Sequence, residues 1–400
     1  MLYIIRNIIL VITIITSVSC YHLTRIKVKE PENALVRVRY FWPEFRDDMD
    51  LPSLILSAKR SLLYLDKLPD EKMFSYGHDR YSAKYLRKSL RTFLQIIQKR
   101  QDSKEINKEL REKFLLYKTT GCDGNGKTLF TGYFEPIIEG NIVSNSIYSH
   151  PIYRVPDNLY RINLGLFHIK YIGQYISARV EDKKILPYFT RKNIVMERAL
   201  EGKGFEIAWL KDPLDVAILQ IQGSGIIRLP DGSELNVGYG ASNGHPYKSI
   251  GRYMIDKGYI DKANLSLESI RSYLIKHPHI KDKILNSNPS YTFFRLRDQG
   301  PVGSIGVALT PERSLALDSR LFPKGALAYI TCKKPVIDEN GNIVDWAPFS
   351  RFVFNQDTGG AIKGSGRADI FWGNGEFAEL AASHLKHEGE IYFLVMKRDL

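Results

Sequence analysis

Between Leu51 and Lys118 apolar residues recur at helical spacing. Leu86, Leu90, Phe93, Leu94 and Ile97 fall at i, i+4, i+7, i+8 and i+11, while Arg87, Lys88, Arg91, Gln95 and Gln98 fill the opposite face. Ile55, Ala58, Leu62 and Leu65 make a second stripe, and Ile106, Leu110 and Phe114 a third. All three read as core-packing faces. From Thr128 onward the pattern changes to short β-branched or aromatic runs separated by Gly, Pro, Asn and Asp. Strands are predicted over 129–134, 152–155, 205–210, 216–221, 226–229, 327–331, 351–355 and 391–396, with hairpin turns at Asp231-Gly232 and Asn340-Gly341. Helices interrupt at 247–257 and 266–276, and another starts near Glu376. The expected architecture is a helical N-terminal part followed by a largely β remainder, as one sandwich or two barrels.

The first twenty residues are of another kind. Asn7 to Ser19 is an uncharged, Ile-rich run preceded by Arg6 and followed by Cys20. It is too short to cross a bilayer, which takes roughly 20 apolar residues. A basic start, an apolar middle and small residues at the end describe an export signal. Ser17-Val18-Ser19-Cys20 resembles a lipoprotein processing site with Cys20 as the acylated residue, although Ser17 stands where Leu is usual.

The 400 residues suggest two domains, and a hydrophobic share of 44% argues against a disordered chain or a multi-span membrane protein. Only Cys122 and Cys332 remain beyond Cys20, so a core rather than a disulfide framework must hold the fold. A bond between them is permitted but not required. The net charge of +13 favours an anionic partner without choosing one. Its Lys and Arg residues are scattered among acids and polar groups, as on solvated helix faces, and lack the interleaved aromatics of a nucleic-acid surface.

Residues 121–128 match the phosphate-loop pattern G-x-x-x-x-G-K-[ST], but a β-type run follows where that loop needs a helix, so no nucleotide is expected. The nine His residues do not gather at metal-ligand spacings; His384 and His387 read as surface residues on the helix near Glu376. Neither metal nor cofactor is implied. Gln222-Gly223-Ser224-Gly225 fails the nucleophile-elbow pattern at Gln222, and Ser224 reads as part of a tight glycine turn beside a polar ligand.

The 355–373 segment places Asp357 and Asp369 on a glycine-rich path, with Lys363 and Arg367 between them and Phe371 and Trp372 just beyond. Asp357 reads first as a turn cap in Asp-Thr-Gly-Gly. Asp369 reads as functional, its plain alternative being a pairing with Arg367 or Arg351. A glycosidic oxygen leaves readily only if protonated, and a carboxyl donates near neutral pH only if its pKa is raised. Burial against Phe371 or Trp372 would raise it and the neighbouring cations would lower it.

Taken together, Thr131-Gly132-Tyr133-Phe134-Glu135-Pro136, Pro151-Ile152-Tyr153, Asp212-Pro213, Leu219 to Gly225, Asn243-Gly244-His245-Pro246-Tyr247, Asn288-Pro289-Ser290-Tyr291 and the 357–373 segment resemble the membrane-bound lytic murein transglycosylase A family. The C-terminal portion is similar to its three-aspartate domain, with Asp318, Asp357 and Asp369 at the aspartate positions. The resemblance implies a mainly β fold with N-terminal helices: a double-psi β-barrel domain carrying an inserted second β domain, with a substrate groove between them. By it, residues 1–20 are the signal, 21–135 the helical region and first part of the barrel, 136–284 the insert and 285–400 the rest of the barrel. It implies that Asp369 is the catalytic acid, supported by Asp357 and Asp318, and that peptidoglycan glycan strands are cut without water to leave 1,6-anhydro ends. Thr131, Tyr133, Gln222, Ser224 and Asn243 are expected sugar contacts. Glu135 is expected to order the strand end or a sugar hydroxyl; as a second catalytic carboxylate it would instead point to hydrolysis. The expected location is the periplasm, on the outer membrane through Cys20.

Overall fold

The computed structural model describes residues 28–99, 102–122, 124–298 and 300–398, so the apolar leader and Cys20 lie outside the described residues. Three N-terminal helices, Leu51–Asp66, Ala83–Gln98 and Ser103–Lys113, begin where the side chains of Asp50, Ser82 and Asp102 accept from a backbone N–H of the first turn. Their stripes turn inward as expected. Phe93 packs edge-on against Phe352, with ring centroids 5.0 Å apart. Two elements in this stretch break the helical reading. Met73–Tyr76 and Asp79–Ser82 form a hairpin, turned at Gly77 with φ 62°. Phe114, taken as the end of a helical stripe, opens the strand Phe114–Thr119.

Six strands close into a barrel. Around the ring run His387–Met396, Leu327–Ile337, Ile343–Asp357, Ser314–Ala316, Arg367–Asn374 and Thr128–Glu135. The last pairs back with the first, His387 opposite Phe130 and Gly389 opposite Thr128. Two neighbouring pairs are parallel, Thr128–Glu135 with Arg367–Asn374 and Ser314–Ala316 with Ile343–Asp357. Past Glu390 the His387–Met396 strand changes partner to Phe114–Thr119, which carries Leu35–Val38 at its outer edge. Residues 351–356 are buried without alternation, because helix Leu51–Asp66 covers the outer face: the Gln356 amide donates to Ser57 O and Ser61 Oγ.

The N-terminal segment is clasped to this barrel by two buried arginines. Arg313 donates to both carboxylate oxygens of Asp47, at 2.6 and 2.8 Å, and Arg351 to both of Asp48, at 2.8 Å each, and to Glu312. Arg351 is therefore committed to Asp48 and Glu312 and not to Asp369.

The inserted unit has its own core around Ile152, Ala208, Leu210, Leu219, Ile227 and Phe294. Its six-stranded sheet is ordered Thr292–Arg297, Glu234–Ser242, Ser224–Arg228, Ile137–Asn141, Glu206–Leu210, His150–Tyr153; Tyr160–Asn163, Tyr175–Glu181 and Lys184–Pro187 form a separate three-stranded arm. The return to the barrel comes later than the expected 284, because Thr292–Arg297 still pairs with Glu234–Ser242. The 216–221 run is not a strand. It lies in helix Pro213–Gln222, started by the Asp212 side chain on Leu214 N and stopped at Gly223 with φ 82°. Both expected hairpin turns are present, while His387 opens the final strand and packs on Trp346 instead of riding the Glu376–His384 helix. The phosphate-loop look-alike connects two strands, and Cys122 and Cys332 are both free.

Candidate active site

The register of adjacent strands assembles the site. Asp369 lies opposite Thr131, and Phe371 opposite Tyr133, across the parallel pair. Alternation puts all four side chains on one face. Ala316 pairs with Asp369 on one side and Asp357 on the other, so one small side chain separates the two aspartates within a single rung.

Within this rung the Thr131 hydroxyl donates to Asp369 Oδ1 at 2.6 Å, and Arg367 Nη2 donates to Thr131 Oγ1 at 3.2 Å. Arg367 thus reaches Asp369 through a hydroxyl. The Asp369 side chain is half-buried. Burial pushes its pKa up to about 6; the Thr131 hydrogen bond and Arg367 oppose that rise, and Asp357 adds to it. Phe371 supplies part of the apolar wall, tilted on Tyr133 with centroids 5.3 Å apart. Trp372 points to the opposite face, where its Nε1 lies so near Gly132 that a Cβ there would stand 2.6 Å away.

Asp357 does more than cap its own turn. It accepts from Thr358 N at 2.8 Å, from Ser304 N at 2.9 Å and from the Tyr133 hydroxyl at 2.9 Å. Its pKa is raised by burial, which these three donors oppose, and burial also holds Tyr133 in its neutral, donating form. Asp318 is fully buried and ion-paired with Arg320 at 2.7 Å, and it accepts from Gly364 N at 2.8 Å. Burial alone would raise its pKa, but Arg320 and the Gly364 N–H outweigh burial and hold it low. Asp318 therefore anchors the 359–364 loop beside the site and has no proton to give. Ser304 and the Arg367–Thr131 link had no sequence signal.

Residues 129–295 match the family described as "MltA specific insert domain" and residues 313–395 the "3D domain". The membrane-bound lytic murein transglycosylase A of Vibrio cholerae is 31% identical over 279 residues, 68% of this chain and 67% of that protein. The chain belongs to the membrane-bound lytic murein transglycosylase A family. A crystal structure of a membrane-bound lytic murein transglycosylase from Agrobacterium tumefaciens superposes with TM-score 0.73 at 26% identity, over 91% of this chain and 98% of that one. Escherichia coli MltA with bound chitohexaose shares the fold, with TM-score 0.68 at 22% identity over 92% and 98% of the two chains.

The remaining expected positions of this transglycosylase family member divide into two groups. Gln222, at the end of its helix, accepts from Phe134 N at 3.2 Å and so joins insert to barrel, with Gly223 and half-buried Ser224 next to it. Asn243 is a correction. Its amide donates to Phe189 O and Pro289 O and accepts from Tyr291 N and His245 N, all within the insert, which leaves nothing for a sugar. Glu135 is only 3% exposed at the far end of its strand, met by Asn374 Nδ2 at 3.4 Å. Burial pushes its pKa up to about 7. It stands four positions beyond Thr131, about 13 Å of strand. Three surface hollows lie away from Asp369: two of about 620 Å³ at the N-terminal edge, and one of about 270 Å³ lined by Phe134, Pro136, Asp215, Arg271 and Glu379.

Proposed function

We propose that this chain cuts the β-1,4 bond between N-acetylmuramic acid and N-acetylglucosamine in peptidoglycan strands, with Asp369 as the sole acid and base. Protonated Asp369 gives its proton to the departing glycosidic oxygen as the C1–O4 bond breaks. Its carboxylate then takes the proton of the muramoyl C6 hydroxyl while O6 bonds to C1. The carboxyl is restored, no water is consumed, and the product carries a 1,6-anhydro ring. An attacking oxygen held in the same sugar has the advantage of proximity, so no second carboxylate is required. The observation that carries this reading is the half-buried Asp369 carboxyl, held by Thr131 with a pKa near 6. Asp357 and Asp318 support it from behind, one through Tyr133 and one through the loop. Tyr133, Gln222 and Ser224 are the proposed sugar contacts.

Hydrolysis is the second reading, because Asp357 is a carboxyl of raised pKa two strands from Asp369. Strand spacing sets their backbones on the order of 10 Å apart. Against it, Asp357 already accepts three hydrogen bonds. Mass analysis of digested sacculi decides: anhydro ends are one water lighter than reducing ends, and reducing ends would sink the transglycosylase mechanism. The Asp369→Asn protein should lose turnover by about 10²–10⁴-fold while still binding strands. Undiminished cell-wall function in that variant would favour a non-catalytic binding lipoprotein. The proposed location is the periplasm, with Cys20 acylated and seated in the outer membrane. The apolar leader ending at Cys20 and the "membrane-bound" relatives support this. Among the described residues no helix is long and apolar enough to cross a membrane.

A further inference from the structure

The three-stranded arm of the insert ends in a tip that faces solvent with the wrong chemistry for water. Leu166, Phe167, Ile169 and Ile172 are 83, 70, 76 and 70% exposed. A contiguous apolar patch of this kind marks an interaction surface. No acidic residue occurs from Asn158 to Val180, whereas Arg161, Lys170 and Arg179 do, the last ion-paired with Glu181 at 2.7 Å. Two of these cations lie over tyrosine rings, Lys170 Nζ 4.8 Å from the centroid of Tyr171 and Arg161 4.2 Å from that of Tyr175.

We propose that this tip dips into the headgroup region of an anionic lipid bilayer, a contact separate from any acyl chain on Cys20. Aliphatic side chains at the apex with tyrosines and cations behind them are the arrangement suited to a membrane–water interface. The backbone is suited to lipid as well. Eight of the eleven N–H groups from 164 to 174 are satisfied inside the tip: Leu164 by Gln174 O, Gly165 by Asn163 Oδ1, Lys170 by His168 Nδ1, and Phe167, His168, Tyr171, Ile172 and Gln174 by carbonyls of its two short 3₁₀ turns. Such a tip enters a water-poor layer with few orphaned donors, each of which would oppose insertion. The choice of lipid rests on the proposed export and on the acylation proposed at Cys20.

The test uses the chain from Tyr21 onward, which contains every described residue and no acylation site. It should co-float with vesicles of phosphatidylethanolamine and phosphatidylglycerol and far less with phosphatidylcholine. Leu166→Asp with Ile169→Asp should lower the bound fraction at least about tenfold. Arg161→Gln with Lys170→Gln should erase the preference for anionic vesicles. Both double variants should digest sacculi like the parent, which shows that the fold is intact. No flotation of the parent, or flotation unaffected by the aspartates, overturns the proposal. So does a dimer in vesicle-free solution that the aspartates dissociate, since the patch would then be a self-contact. Loss of sacculus digestion by the parent strikes only the proposed function and leaves the vesicle result to be read by itself.

Discussion

At the scale of single residues the proposed chemistry rests on one shifted proton. An unperturbed aspartate is about 1% protonated at pH 6, whereas Asp369, with a pKa of about 6, is half protonated there. Activity that starts from the acid form should fall as pH rises past that value. Thr131 bonds the charged form and lowers this pKa, so Thr131→Val should move the alkaline limb of the kcat/KM profile upward; a downward move would contradict the assignment. Glu135 makes a stability prediction instead. Its folded-state pKa is raised to about 7, so the folded state keeps a proton that the unfolded chain releases near pH 4.3. Stability from this group is complete below the unfolded value and is lost as pH rises through about 7. Glu135→Gln should therefore match the parent near pH 4 and exceed it above pH 7, by about 4 kcal/mol at most, in denaturant titrations. Asp369 drew attention in the sequence because a carboxyl stands next to aromatic rings on a glycine-rich path; its proposed role came from the family resemblance, and the sign of its pKa shift had no sequence signal. The fault with Asn243 was equally physical: polarity next to a glycine turn does not reveal that four backbone groups already claim the amide.

At the scale of elements, periodicity located the N-terminal helices and most strands but stumbled where an apolar run is brief. The 216–221 run fits strand or helix equally, and only its borders decide, Asp212-Pro213 as a start and Gly223 as a stop. Phe114 belongs to two patterns, closing a helical stripe while opening a strand. The loop after Asp357 is held from below by Asp318, which bonds Gly364 N and the backbone and side chain of Arg320. Asp318→Ala should cost about 1–3 kcal/mol in thermal unfolding, because the half-buried Gly364 N–H and the Arg320 N–H groups lose a charged acceptor. If Asp318 positions the proposed acid through this loop, the variant should also lower kcat more than it raises KM.

At the scale of the whole molecule, ring closure was beyond sequence reasoning from local pattern, because the Thr128–Phe130 partners lie some 260 residues downstream at His387–Gly389. Resemblance supplied the barrel; hydropathy alone left a sandwich open. The clasp of Arg313 on Asp47 and Arg351 on Asp48 was equally invisible, since nothing local distinguishes those aspartates from surface charges. Asp47→Ala should destabilise the fold by about 3–5 kcal/mol, far above a surface ion pair, because it strands a fully buried guanidinium. Urea unfolding measures the difference, and a loss below 1 kcal/mol would place the clasp among ordinary surface contacts.

Closure by the C-terminal strand also has a consequence in time. A chain still being synthesised has Thr131 long before it has Asp369, and both before the strand that seals the ring. Until His387–Met396 is available, a nascent or prematurely terminated polypeptide cannot complete the barrel around Asp369. A polypeptide cut short before His387 should therefore be left with an open sheet and should not cut strands.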